Sequence, residues 1–96
     1  MPVFKKRASQ LVNEIESLVE SNPIRSNWRS EVTQTSSGYT VRTWDANSYH
    51  FHQCWVNFEV EEAFDSSTVN ATSCHGDCGG HGKRVRDFVL SSLKGR

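Results

Sequence analysis

All three cysteines and all four histidines of this chain fall between positions 50 and 81. His50, His52 and Cys54 alternate, which on an extended strand points all three to one side of a sheet, and Cys74, His75, Cys78 and His81 follow as a second group. Imidazole nitrogens and thiolates are the donors of a tetrahedral zinc site, and a strand presenting some of them while a loop presents the rest would build one. The candidate ligands are His50, His52, Cys54, Cys74 and Cys78, zinc is the ion they would take, and it would clamp a small fold. Spacing argues the other way: Cys74 and Cys78 are four apart, whereas zinc fingers favour two intervening residues and a second similar pair. His50, His52 and Cys54 also share parity with Val56, Phe58 and Val60, the pattern of semi-buried packing residues. A thiol-redox role is the remaining reading of the same cysteines.

Two further chemistries fail on context. A cysteine nucleophile would need a histidine base, for example Cys78 with His50 or His81, but no flanking signature supports the pairing. Gly79-Gly80-His81-Gly82-Lys83-Arg84 brings glycines and then cations to a helix start, where open N–H groups and the helix dipole attract anions. It is not a phosphate-binding Walker loop. Asp77 stands five residues before Gly82, and Arg84 follows Lys83 where a hydroxyl residue would hold magnesium. No catalytic residue is assigned, and the chain reads as a non-enzymatic protein.

The elements that must position these groups follow from periodicity. From Phe4 to Glu20, Phe4, Ala8, Leu11, Val12, Ile15, Leu18 and Val19 recur at three- and four-residue steps, one apolar stripe of a helix, and Ser21-Asn22-Pro23 ends it. Trp28 to Thr35 and Tyr39 to Trp44 read as a hairpin around Ser36-Ser37-Gly38, and Tyr49 to Glu62 as a long third strand. Its even positions Val56, Phe58 and Val60 face one way, and Tyr49, Phe51 and Trp55 the other. Residues 65–82, rich in Ser, Thr, Asn and Gly, read as a long functional loop, and Lys83 to Lys94 as a second amphipathic helix. The expectation is a single α+β domain over residues 1–96, α-β-β-β-α, with a three-stranded antiparallel sheet and both helices packed on one face.

That layout, with a glycine-containing loop and a basic start to the last helix, is similar to the double-stranded RNA-binding domain. The resemblance spans nearly the whole chain but is one of layout: Gly80-His81-Gly82-Lys83-Arg84 lacks the serine and the lysine-alanine continuation of that family. It implies phosphate contacts from Lys83, Arg84 and Arg86, and Lys5, Lys6 and Arg7 would extend the basic surface.

Composition sets the remaining bounds. Ninety-six residues with 35% apolar and 23% charged side chains make an ordinary small globular domain. The 11 basic and 11 acidic residues cancel, but bases gather at the two ends of the chain and acids in the middle, a layout that can hide a binding surface behind a zero net charge. With no run of 18 apolar residues, an N-terminus that leads into a polar-interrupted helix, and an odd number of cysteines, the expected location is cytoplasmic, without a membrane partner. The favoured function is a small protein-binding module, an inhibitor or adaptor that docks a larger partner through Tyr49, Phe51, Trp55, Glu59, Glu61, Glu62 and Asp65. Nucleic-acid binding through the basic residues is the alternative, and a zinc-stabilised or redox domain the next.

Overall fold

The computed structural model describes residues 2–47, 54–74 and 79–95. The elements are β1 (Val3–Phe4), α1 (Ala8–Glu20), β2 (Trp28–Gln34), β3 (Gly38–Asp45), β4 (Trp55–Glu62), β5 (Ser67–Ser73) and α2 (His81–Lys94). The α+β class holds, but the sheet has five antiparallel strands in the order β1-β5-β4-β3-β2, not three.

The chain starts at one edge of the sheet and reaches the other through α1. Thirteen helical residues span about 20 Å, close to the roughly 19 Å covered by four interstrand steps. From β2 a meander returns to the starting edge. α1 packs on β2, β3 and β4, α2 packs on β4 and β5, and the two helices touch each other. The core between them and the sheet holds Leu11, Ile15, Leu18 and Val19 of α1, Val85, Val89 and Leu93 of α2, and Val41, Val56, Phe58, Val60 and Val69 of the strands.

Three sequence expectations are corrected. Residues 65–82 are not one loop, because Ser67–Ser73 pairs along β4 from Glu62↔Ser67 to Val56↔Ser73. The strand leaves little sequence signal because Val69 is its only large apolar residue. Its other inward positions carry Ser67, Ala71 and Ser73, small enough for α2 to lie close over this side of the sheet. The first helix begins at Ala8 instead of Phe4, and Arg7 is extended at φ −67°, ψ 147°. Phe4 belongs to β1, where it pairs with Ser67 and is buried in the core. The last helix begins two residues early, at His81, behind Gly79 and Gly80 at φ 68° and 79°, a left-handed backbone that glycine adopts without steric cost. The third strand begins at Trp55, and Tyr49, His50, Phe51 and His52 of its expected first half lie outside the described residues.

The tight places are set by backbone. At the β2–β3 turn, Thr35 N–H donates to Gly38 O at 2.8 Å and Gly38 N–H to Thr35 Oγ1 at 3.0 Å. A Cβ at position 38 would overlap the Val60 carbonyl, so only glycine lets β3 lie against β4 here. After α1, Asn22 accepts the N–H groups of Ile24 and Arg25 on Oδ1 and donates Nδ2–H to Val19 O, an Asx turn that closes the helix ahead of the sheet. Among the described residues, no helix is long and apolar enough to cross a membrane.

Candidate functional site

Among the described residues, both helices pack on one side of the sheet, and neither covers the other face. Reading across it by register, Arg29, Trp44 and Trp55 form one row; Glu31, Arg42, Asn57 and Thr72 the next; Thr33, Thr40, Glu59 and Asn70 a third; and Gly38, Glu61, Thr68 and Val3 the last. The face therefore has an aromatic end with two arginines and an end with two glutamates.

Trp44 and Trp55 are its centre. Asp45 N–H donates to Cys54 O at 2.8 Å, which makes the next pair, Trp44 and Trp55, a non-hydrogen-bonded one. Such pairs hold their Cα atoms about 4.5 Å apart with the side chains closest together. Both tryptophans are half-buried. With Glu31, Arg42 and Asn57 they line a shallow depression of about 360 Å³. Beyond Trp55, a broader one of about 780 Å³ is bordered by Ser73, Cys74, Gly80, Lys83 and Arg86.

The expected partner-binding residues divide. Trp55, Glu59 and Glu61 do share this face. Glu62 is exposed but has the opposite parity, and its carboxylate is already engaged: its Oε2 accepts the N–H of Ala8 at 2.7 Å and its Oε1 lies 3.4 Å from Arg7 Nη2. Arg7 offers α1 no side-chain cap, and a carboxylate from β4 supplies one to the positive helix end. Asp65 is exposed in the β4–β5 turn, next to the fully exposed Phe64. Tyr49 and Phe51 lie outside the described residues. Trp44, Arg29, Arg42 and Asn57 escaped the sequence reading. The alternation Thr40-Arg42-Trp44 was the available signal, but which residue stands opposite Trp55 depends on register.

The basic residues do not gather at one pole. Lys5–Arg7 adjoins the Ser67 end of β5, whereas Arg86 Nη1 reaches Ser73 Oγ at 3.3 Å at the other end, six residues or about 20 Å away. Several of these charges are already engaged: Lys6 Nζ lies 3.0 Å from Glu14, Arg7 pairs with Glu62, Arg84 Nη2 donates to Gly79 O at 3.0 Å, and Arg86 pairs with Asp87 at 3.2 Å. Lys83 and Arg86 border the depression beside Trp55.

Of the candidate metal ligands, Cys54 and Cys74 are brought together, with their sulfurs 3.5 Å apart. His50, His52 and Cys78 lie outside the described residues. Among the described residues, no group of three or more His, Cys, Asp or Glu side chains is placed to hold a metal ion. Next to the sulfur pair, Arg25 Nε meets the buried Asp45 carboxylate at 3.2 Å, and Asn47 N–H donates to the same carboxylate at 2.9 Å. Burial holds the His81 imidazole below its ordinary pKa; the Arg25 and Arg84 guanidiniums push the same way, and Asp45 opposes them.

No family model, no curated protein and no solved structure matches this chain.

Proposed function

We infer that the protein is a non-enzymatic binding module, an inhibitor or adaptor of the cytoplasm, that docks a protein partner on the uncovered face of its sheet. The observation that carries this reading is the pair Trp44–Trp55, set side by side on the side of the sheet that neither helix covers. Tryptophan and arginine are the residues that most often dominate docking energies, in patches rimmed by polar groups. Charge favours protein over nucleic acid. Two arginines, Arg29 and Arg42, stand on the face against three glutamates, Glu31, Glu59 and Glu61, and Glu31 sits directly across from Arg42. A nucleic-acid platform needs a net positive surface. The mixed face instead suits a partner that offers carboxylates near Trp44, an apolar centre, and cations near Glu59 and Glu61.

The test is capture from nuclease-treated lysate, followed by affinity measurement on the isolated partner. Trp44→Ala and Trp55→Ala should each weaken binding by roughly thirtyfold or more, equivalent to about 2 kcal/mol. Unchanged affinity in both variants overturns the reading. Loss of capture on nuclease treatment, with a salt-sensitive gel shift and sensitivity to Lys83→Ala or Arg86→Ala, would transfer the function to nucleic acid.

A further inference from the structure

The sulfurs of Cys54 and Cys74 meet where the start of β4, the end of β5 and the first turn of α2 converge. Cys54 is 2% exposed, and Cys74 borders the solvent-open depression shared with Trp55, Gly80, Lys83 and Arg86. The helix is fitted to the sulfurs. A Cβ on Gly82 would lie 2.5 Å from Cys74 Sγ, 3.0 Å from the Trp55 carbonyl oxygen and 3.5 Å from Cys54 Sγ, so only glycine lets the α2 backbone come this close. One residue earlier, His81 Nδ1 is buried and finds no hydrogen-bond partner among the described residues.

We propose that Cys54 and Cys74 are two thiolate ligands of a site for a zinc-class divalent ion at the junction of β4, β5 and α2. Two sulfurs bound to one zinc at about 2.3 Å with a tetrahedral angle stand about 3.8 Å apart, whereas a disulfide would draw them to about 2.0 Å. The separation of 3.5 Å, a contact in which either sulfur can donate to the other, lies much nearer the first arrangement than the second. The first turn of α2 adds the positive end of a helix dipole, and Lys83 and Arg86 add cationic charge at the rim, all of which favour thiolate over thiol. Binding of the ion releases the two thiol protons to solvent, with no change in oxidation state. Held by these two sulfurs, the ion would tie the start of β4 to the end of β5, 20 residues apart in sequence. This inference does not depend on the identity of the partner bound by the sheet.

Cobalt(II), which takes zinc's geometry, is the probe. Added to the reduced full-length chain purified with chelator, one equivalent should produce sulfur-to-cobalt charge-transfer absorption and tetrahedral d–d bands, both abolished by zinc. Cys74→Ser, at a partly exposed position, should lose a large part of the charge-transfer band and bind at least tenfold more weakly; Cys54→Ser should do the same. Gly82→Ala keeps both donors but crowds Cys74 Sγ, and should also weaken cobalt binding while far-ultraviolet circular dichroism reports a folded chain. A folded wild-type protein that gives no charge-transfer band at several-fold excess of cobalt overturns the proposal. So does a band that survives intact in folded Cys74→Ser, and so does a pair that closes to a disulfide with glutathione disulfide at the same rate with and without zinc.

Discussion

The two ends of β5 are secured by different chemistry. At the Ser67 end, the chain ties itself with backbone and oxygen donors: Val69 N–H donates to Pro2 O at 3.1 Å, the fully buried Ser67 hydroxyl donates to Lys6 O at 2.6 Å, and Glu62 caps α1 at Ala8. At the Ser73 end, Cys74 N–H donates to Trp55 O at 3.0 Å and Arg86 Nη1 reaches Ser73 Oγ, but here the strand ends also bring two cysteine sulfurs together over Gly82, one residue after an imidazole held below its ordinary pKa. Hydrogen bonds of the first kind act over the whole physiological range. Thiolates and imidazoles respond to protons, metals and oxidants. One end is therefore a structural clasp, and the other is the place where solution conditions can reach the fold.

Phe58→Ala, fully buried and midway along β4, the strand that both helices pack on, should cost about 3–5 kcal/mol in denaturant unfolding and loosen both ends together; a loss under about 1 kcal/mol would mean the core is not shared. Ser67→Ala removes the donor to Lys6 O and should cost about 1–2 kcal/mol, with no effect on cobalt binding at the other end. Glu62→Ala should cost about 1 kcal/mol through the lost cap. Arg7→Ala, whose side chain is 80% exposed, should change stability by less than about 0.5 kcal/mol. If the two variants proved equal, the ion pair and not the cap would be the important contact.

The smallest expected effect separates the ends by pH. His81 is held below its ordinary pKa of 6.5 in the folded state, so below that value the unfolded chain binds the proton more readily than the folded one. Its contribution to stability is complete above about pH 6.5 and is lost as the pH falls through that value towards the lower folded pKa. With chelator present, His81→Gln should flatten the fall of the unfolding midpoint below about pH 6.5, while Glu62→Ala should leave that slope in place. An unaltered slope in His81→Gln would assign it to another group.

How much of this was legible in the sequence depends on the size of the side chains that carry the signal. The α1 stripe and the parity of Val56, Phe58 and Val60 announced helix, strand and inward face, because large apolar residues at fixed periods have one way to be buried. Ser67–Ser73 has the same alternation in residues too small to stand out, so its composition alone predicts a loop. Phe4 fitted the helical stripe equally well, and only its pairing with Ser67 across 63 positions moved it into a strand. At the candidate sites, the face of Trp55 and its glutamates was legible from parity. The role of Glu62 was not, because a cap supplied from 54 residues away leaves no local trace.

The sequence by itself determined the α+β class, the hairpin around Gly38, the apolar faces of both helices and the confinement of every cysteine and histidine to residues 50–81. Each is a local pattern, and local patterns are set by steric and hydrophobic rules that act within a few residues. Only the tertiary structure decided that Trp44 stands beside Trp55, that Cys54 and Cys74 meet over Gly82, and that the basic residues are split between opposite ends of β5. These depend on strand order and register, which minimise the free energy of the whole sheet and its two helices and are not recorded at any single position.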